Sequence, residues 1–265
     1  MKSIKVTLPR DLTNIKIHTF ADWHIGESGC DMDAIKAEIQ EVKDCKESYV
    51  ICNGDLMNNA TKTSVSDCYA ELIPPMEQLQ TLCELLEPIK DKILLVTQGN
   101  HEARTYRCDG IDLTALMAKQ LNIYDRYVRE GGVLFIRLGE YIHGRKDHRN
   151  NGHKRQVCYS IYVTHGSGGG KKIGGKANVL VDKASIVDTD IYIIGHTHTP
   201  FTTRQAYFRT DYHNNCIAKV DKLFVCTAAK LEYGGYGETF GFAPSSTENP
   251  VILLSGTKKH FAVRA

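Results

Sequence analysis

Seven side chains of metal-binding type fall into five short motifs along the chain. They are Asp22 and His24 in ADWHIG, Asp55 in CNGDL, Asn100 in QGNHE, His165 in VTHGSGGG, and His196 and His198 in IIGHTH. Imidazole, carboxylate and amide donors without thiolate favour Mn²⁺, Fe²⁺/³⁺, Zn²⁺ or Ni²⁺ over Ca²⁺ or a purely structural zinc. Seven donors are too many for one tetrahedral ion, so the set predicts two ions that share a carboxylate. Such pairs, about 3.5–4 Å apart, serve in-line displacement at phosphorus.

Each motif taken alone is a weak signal, because an Asp beside a turn usually serves the turn itself. GHTH is stronger, since two histidines that flank one residue beside a glycine make a poor core pattern. The prediction depends on the ordered recurrence of all five motifs. His18 lies in the middle of a predicted strand and is interpreted as a core or face residue. The histidines without comparable context are left out of the site: His143, His148, His153, His213 and His260.

Five predicted strands would position these motifs, because each motif directly follows one of them. The strands cover residues 15–20, 49–52, 93–97, 157–164 and 191–194, where bulky and β-branched residues are bounded by polar turns. Amphipathic helical patterns separate the first three strands, one of them marked by Ile35, Ile39 and Val42. This βαβαβ order predicts parallel pairing with right-handed crossovers. Ligands of open α/β sheets bind at the carboxyl ends of the strands, so one shared site is expected.

The remaining elements are expected to form a more antiparallel sheet with fewer helices. Helices are predicted near residues 113–120 and 177–187, and strands at 133–138, 223–227 and 251–254. Without an internal repeat, a low-complexity tract or a convincing linker, residues 1–265 are interpreted as a single domain.

Composition excludes some classes of function and sets an expected location. The 33 basic and 31 acidic residues nearly balance, so no global field indicates a nucleic-acid or membrane partner. The nine cysteines are odd in number and lack CxxC spacing, which favours a reduced protein. No apolar stretch approaches the roughly 18 residues that span a bilayer, and the start of the chain lacks an apolar signal segment. We therefore expect a soluble, cytoplasmic protein.

In their order, the motifs DxH, GD, GNHE, a lone His and GHTH resemble the calcineurin-like metallophosphoesterase superfamily. Its members include purple acid phosphatases, protein phosphatases, cyclic-nucleotide phosphodiesterases and nucleases. The motifs run from Asp22 to His198, so the resemblance says little about the last 65 residues. It implies a four-layer α/β/β/α sandwich of mixed sheets flanked by helices.

The resemblance also divides the seven ligands between two divalent transition-metal ions, manganese first, with iron, zinc or nickel as alternatives. It implies that Asp22, His24 and His198 hold one ion, that Asn100, His165 and His196 hold the other, and that Asp55 bridges them. A hydroxide that bridges the ions would attack phosphorus without a covalent enzyme intermediate. His101 would lie near the leaving-group oxygen as an acid or an electrostatic stabiliser. The expected catalytic residues are therefore His101, Asp55 and Asn100.

One departure from the family pattern concerns the position three residues after the bridging aspartate. Many members carry a further acid there, whereas this chain has Asn58. Since outer-shell partners tune metal affinity, the change is expected to alter support around the ions.

Two secondary features near the motifs remain open between functional and structural interpretations. Arg104 is a candidate substrate-binding residue, because Arg can bind phosphate bidentately, but a solvated loop charge fits equally well. The glycine-rich run 166–176 lacks P-loop spacing; its glycines would admit close backbone approach or a flap, and Lys171, Lys172 and Lys176 would steer an anion.

Two further segments are equally open. The basic segment 145–155 fits a solvated hairpin tip better than a nucleic-acid contact, since no aromatic residues interleave it. Tyr233, Tyr236, Phe240 and Phe242 would form an aromatic wall or simply pack.

The leading hypothesis is a two-metal phosphoesterase, with phosphodiester or nucleic-acid substrates favoured over monoesters. The first alternative is a phosphomonoesterase acting on phosphoproteins or nucleotides. The second, of a different class, is a non-catalytic scaffold of the same fold, which would predict lost ligands. A phosphate-ester substrate is the expected partner, nucleic acid stays open as a partner, no membrane partner is expected, and the oligomeric state is undetermined.

Overall fold

Two mixed sheets pack face to face and carry helices on their outer faces. The structure, a computed structural model, describes residues 1–62, 64, 67–143, 153–168, 170–234, 237–238 and 241–264. In chain order the elements are β1 (Lys2–Thr7), β2 (Asn14–Phe20), α1 (Met32–Asp44), β3 (Ser48–Asn53), α2 (Pro75–Leu86), β4 (Ile93–Thr97), α3 (Glu102–Asp109), α4 (Leu113–Gln120), β5 (Tyr127–Val128), β6 (Gly132–His143), β7 (His153–Thr164), α5 (Ile173–Val181), β8 (Ile191–Ile194), β9 (Phe201–Asp211), β10 (Cys216–Cys226), β11 (Val251–Ser255) and β12 (Phe261–Arg264). Short 3₁₀ helices cover Glu87–Lys92, Tyr124–Arg126 and Asp182–Ser185.

The first sheet contains the predicted βαβαβ unit, in the order β12-β11-β2-β3-β4-β5. Strands β2 to β5 run parallel, and β11 pairs antiparallel with both β2 and β12. Asp31 begins α1, where its side chain accepts the N–H of Ala34 at 2.9 Å. Pro75 opens α2, where its missing N–H costs least.

The second sheet has the order β1-β6-β7-β8-β10-β9. It is mixed rather than mainly antiparallel, because β8 runs parallel to both β7 and β10, and β1 runs parallel to β6. Strands β7 and β8, which precede predicted ligands, are neighbours, as β2, β3 and β4 are in the first sheet. The chain thus gathers five strand ends at one edge of the sandwich.

Three apolar clusters hold the four layers together. The largest lies between the sheets and includes Ile17 and Ile51 from one sheet and Ile161 and Ile193 from the other. A second packs the outer face of the first sheet against α1, α2 and α4, and a third packs α5 against the second sheet. The predicted α/β/β/α sandwich of mixed sheets flanked by helices is confirmed. None of the helices in the described part of the chain is long and apolar enough to cross a bilayer.

The boundaries of one predicted helix were wrong, and several short elements escaped prediction. Helix α5 begins at Ile173 rather than near Ala177. Gly174 and Gly175 lie in its first turn, and the weak helix propensity of glycine hid this start in the sequence. Strand β5 has two residues, and α3 has eight with only Glu102 buried, so neither shows clear apolar periodicity.

The packing between the sheets predicts a large effect for a cavity in β8. Ile193 is fully buried between the sheets, whereas Ile217 on neighbouring β10 is 68% exposed. We expect Ile193→Ala to lower the free energy of unfolding by about 2–5 kcal/mol, because the cavity forfeits apolar contacts. Ile217→Ala is the matched control, with a change within about 0.5 kcal/mol. Urea denaturation measures both, and equal effects would contradict the packing described here.

Candidate metal centre

All seven predicted ligands lie just beyond the carboxyl ends of five strands. Asp22 and His24 follow β2, Asp55 follows β3, Asn100 follows β4, His165 follows β7, and His196 and His198 follow β8. Three of the strands belong to one sheet and two to the other. The site is therefore built across the line where the sheets meet, and the core between the sheets fixes the distance between its halves.

Backbone hydrogen bonds join the ligand loops to one another. The N–H of Asp22 donates to the carbonyl of Gly54 at 3.1 Å, and the N–H of His24 donates to the carbonyl of Asp55 at 3.1 Å. Within the second sheet, the N–H of Gly195 donates to the carbonyl of His165 at 2.9 Å. Side-chain positions are thus set by a hydrogen-bonded framework rather than by separate flexible loops.

One group of donors contains Asp22, His24 and His198. The Nε2 atoms of His24 and His198 face each other at 3.1 Å, and Nε2 of His198 lies 3.2 Å from Oδ1 of Asp22. These three residues offer ligand atoms within 4.8 Å of one another. The structure thus brings together the residues that the family pattern assigns to one ion.

A second group contains Asp55, His165, His196 and Asn100. Nε2 of His165 lies 3.1 Å from Oδ2 of Asp55 and 3.1 Å from Oδ1 of Asn100. Nδ1 of His196 lies 2.8 Å from the same Asn100 oxygen. Asp55 is also grouped with His24 and His101, so its carboxylate lies between the two sets of donors.

Protonation and tautomer states fit a pair of bound cations. The Nδ1 atom of His165 must donate to the carbonyl of Asn53 at 2.7 Å, which turns its Nε2 towards the site. Burial, with His101 and His198 nearby, lowers the pKa of His24 well below its usual value. Burial and His165 likewise lower the pKa of His196. Neutral imidazoles are the ligand form, so these residues suit a metal.

The buried carboxylate of Asp55 governs the charge of its neighbours. Burial opposes ionisation of Asp55, but His165 and His101 hold its pKa well below the usual range. Burial also disfavours the charged form of His165, yet the Asp55 carboxylate raises the pKa of His165 to about 10. A cation that binds here would have to displace that proton. The donor set therefore fits divalent cations, which would replace it as the positive partner of Asp55.

Five of the seven predicted ligand residues adopt left-handed backbone conformations. The φ angles are +53° at Asp22, +50° at His24, +51° at Asp55, +66° at His196 and +52° at His198. Such angles are uncommon outside glycine, although Asp and His adopt them more often than most residues do, and each one costs conformational free energy. Residue types alone could not predict this feature, because Asp and His are not restricted to such conformations.

The glycines that precede three ligands permit close backbone approach. A side chain at Gly54 would lie 2.6 Å from Cα of Gly99, and one at Gly99 would lie 2.1 Å from the backbone N of Asp55. A side chain at Gly195 would lie 2.9 Å from Oδ2 of Asp22. GD, GN and GH therefore owe their glycines to the tight meeting of the ligand loops.

His101 lies at the rim of the donor set, next to Arg104. Its Nδ1 donates to the carbonyl of Asn58 at 2.8 Å, and its Nε2 lies 3.8 Å from Oδ2 of Asp55. Burial lowers the pKa of His101 to about 4, although Asp55 opposes the shift. Arg104 donates to Nε2 of His101 at 3.0 Å and to the carbonyl of Asn58 at 3.0 Å. The role of Arg104 as a substrate clamp stays a prediction.

Two residues that sequence analysis did not assign to such a role support the ligand loops. The first is Glu102, which is buried and accepts the N–H groups of Asp55, Met57 and Gly99, each at 3.0 Å. Burial, with Asp55 nearby, raises the pKa of Glu102 to about 7. Its place in GNHE was the available signal.

The second supporting residue is Lys176. The prediction that Lys176 steers an anionic substrate was wrong. Lys176 is 7% exposed, and its Nζ donates at 2.9 Å to the carbonyl of Thr197, between the two histidines of GHTH. Its ammonium group therefore braces the GHTH loop from α5. By contrast, Lys171 and Lys172 are exposed.

The other secondary features have mixed outcomes. Gly168 and Gly170 have positive φ and open space around them, so close approach does not explain those glycines. His18 is buried beside Oγ of Ser48, at 3.2 Å from its Nε2, as the core interpretation expects. Residues 144–152 of the basic segment, Gly169, Tyr236 and Phe240 lie outside the described residues. Tyr233 donates to the carbonyl of Phe242 at 3.1 Å.

Comparisons with known proteins add a family to this geometry. The protein-family model described as calcineurin-like phosphoesterase matches residues 15–200 of this chain. No curated protein matches this sequence. Among solved structures, the chain is similar to a predicted phosphoesterase from Streptococcus pneumoniae. The identity is 15%, the match covers 95% of this chain and 88% of that chain, and the TM-score is 0.37.

Two further structures are similar at the same level. A single mutant of Vps29 from Entamoeba histolytica has 13% identity, covers 94% of this chain and 90% of its own, and has a TM-score of 0.42. The nuclease MPE from Pseudomonas putida has 15% identity, the match covers 94% of this chain and 87% of that chain, and the TM-score is 0.36. None of these likenesses is close enough to carry a function to this chain.

The central position of Asp55 predicts the metal content of a variant. We expect Asp55→Ala to lose at least one cation per chain, because it removes the carboxylate that lies between both donor groups. Asp221→Ala, at an exposed position of β10, should keep the full content. Elemental analysis after dialysis measures both. Retention of every ion by Asp55→Ala would show that this carboxylate is not a shared ligand.

Proposed function

The chain belongs to the calcineurin-like phosphoesterase family, and on that premise we propose that it hydrolyses phosphate esters with two divalent cations. The observation that supports this most directly is the clustering of the donors: Asp22 lies with His24 and His198, Asp55 lies with His165 and His196, and Asp55 is also close to His24. Asp22, His24 and His198 would hold one cation, and His165, His196 and Asn100 the other. The cations would neutralise phosphate charge and activate water for attack at phosphorus. Manganese is our first candidate, with iron, zinc or nickel as alternatives.

The residues of the chain would hold this site ready without large rearrangement. Asp55 receives the backbone N–H of His101 at 2.8 Å, and Asp22 receives that of His196 at 3.1 Å, so both carboxylates are fixed. Preorganised groups of this kind lower the cost of reorganisation during reaction. His101, fixed through Nδ1, would place its Nε2 towards the leaving group. Once Nε2 has taken up a proton, the ring would donate that proton or stabilise charge there.

We further propose that the protein prefers phosphodiesters to phosphomonoesters. Arg104 already donates to the carbonyl of Asn58 and to His101. A diester carries one negative charge where a monoester carries up to two, and so demands fewer side-chain cations. Engagement of Arg104 within the protein leaves fewer of its N–H groups for a phosphate, which supports a diester substrate, nucleic acid among the candidates.

We also propose a reducing compartment such as the cytoplasm. All nine cysteines lie in the described part of the chain, and none takes part in a disulfide. Disulfides are rare where cellular thiols are kept reduced.

Replacement of His101 predicts a rate effect without loss of metal. We expect His101→Ala to slow turnover by roughly 10²–10⁴-fold, which is the usual contribution of a positioned proton donor. His213→Ala, on an exposed turn, is the control and should keep the rate. Turnover with Mn²⁺ and elemental analysis should be measured on the same samples. Metal loss in His101→Ala would make His101 a ligand instead.

A substrate panel tests the class of ester. We expect faster hydrolysis of bis(p-nitrophenyl) phosphate than of p-nitrophenyl phosphate with Mn²⁺, because Arg104 is already engaged within the protein and a dianion demands more positive charge. Single-stranded DNA and RNA extend the panel to natural diesters. A strong monoester preference without nucleic-acid cleavage would overturn the diester part. Absence of turnover on every ester, in protein that contains metal, would overturn the enzymatic proposal and favour a scaffold.

A further inference from the structure

Asn58 occupies a buried position that touches three separate segments of the chain. It is 1% exposed and follows Asp55 by three residues. Its side-chain Nδ2 donates to Oε2 of Glu27 at 2.7 Å and to Oε1 of Glu71 at 2.9 Å. Glu27 comes from the loop after β2, and Glu71 comes from the connection between β3 and α2. The amide is thus held between two carboxylates.

The backbone carbonyl of Asn58 faces the rim of the metal centre. It accepts Nδ1 of His101 at 2.8 Å and Nη1 of Arg104 at 3.0 Å. A carbonyl oxygen can only accept, so the hydrogen of His101 must lie on Nδ1. Nε2 of His101 is then left to face the site, where Arg104 reaches it at 3.0 Å.

Further contacts tie the Glu71 carboxylate to His101 by a second route. Oε1 of Glu71 accepts the N–H of Ala60 at 2.7 Å, and Oε2 of Glu71 accepts a hydrogen bond from Gln78. Gln78 in turn accepts the N–H of Asn59 at 2.8 Å, and Nδ2 of Asn59 donates to the carbonyl of His101 at 2.7 Å. Hydrogen bonds to Glu27, Glu71 and Gln78 therefore fix residues 58 and 59, which in turn contact His101.

This arrangement requires an amide at position 58. An NH₂ group can satisfy two carboxylates at once, since it has two hydrogens to donate. A carboxylate there would face two others in a buried place, where unpaired like charges are costly. An ionised acid at position 58 would therefore be incompatible with Glu27 and Glu71.

From these contacts we infer that Asn58 is a positioning residue for His101 and Arg104, and that Glu27 and Glu71 fix it through its side-chain amide. The inference rests on the proposed function only for its kinetic consequence. The positioning itself is a property of the folded chain, and it can be measured without turnover.

The test compares Asn58→Asp with the double variant Asn58→Asp plus Glu27→Gln. The carboxylate introduced by Asn58→Asp would repel those of Glu27 and Glu71 and shift the carbonyl that orients His101. In the double variant, the amide introduced by Glu27→Gln would donate to that carboxylate, so the pair should recover part of the loss. Asn178→Asp, at an exposed position of α5, is the matched control. Asn58→Ala serves as a second single variant if Asn58→Asp does not fold.

The first readout is the ring of His101 in ¹⁵N-labelled, zinc-loaded protein. Long-range ¹H–¹⁵N spectra report which ring nitrogen carries the hydrogen, and His101→Gln assigns the signal. We expect an Nδ1–H ring in the parent and in Asn178→Asp. Asn58→Asp or Asn58→Ala should shift that signal, and the double variant should shift it back. An unchanged ring in both single variants would overturn the inference.

The second readout is kinetic and separates positioning from general damage. We expect Asn58→Asp to lower kcat by about 10- to 100-fold, as for other outer partners of metal sites. The loss should be larger for an alkyl diester than for a p-nitrophenyl diester, whose leaving group needs little proton donation, while KM changes little. Equal losses on both esters would overturn the inference. A parent protein that hydrolyses nothing, with a ring signal that still responds, would overturn the proposed function alone.

Discussion

Burial of two carboxylates at one edge of the sandwich is the constraint on which the site depends. Asp22 is fully buried and Asp55 is 1% exposed. Among the described residues their ion-pair partners are histidines rather than lysines or arginines. Isolated buried charges are costly, and backbone N–H groups from His101 and His196 offset part of that cost. A pair of divalent cations would offset the rest, which explains why the neighbouring side chains are mostly neutral donors.

The two sheets share the task of building this environment. The first sheet supplies both carboxylates, and the second supplies three histidines from β7 and β8. The group with Asp22 and the group with His165 each combine residues from both sheets, so the geometry of the candidate centre follows from how the sheets pack. The apolar cluster between them, with Ile17 and Ile193, therefore sets the distance between the two halves of the candidate metal centre as well as contributing to stability.

The strands that carry the ligands could be predicted from the sequence, because their apolar runs are strong and their motifs follow at once. The donors could also be predicted as one set, since parallel strands end at a common edge. The supporting residues were harder to predict. Lys176 looked like a surface charge within a glycine-rich run, and only the fold shows it buried against Thr197. The engagement of Arg104 with the carbonyl of Asn58 depends on the path of the chain between β3 and α2, which local patterns do not describe.

The left-handed backbone at five ligand residues has a consequence for how the fold tolerates change. A glycine at Asp22 or His198 would relax the local conformation while removing a donor, so thermodynamic stability and the proposed cation binding oppose each other at these positions. Substitutions chosen for stability alone would therefore erode the centre first where it is most strained. The left-handed conformations of these five residues lower the stability of the folded chain, and the apolar packing between the layers offsets that loss.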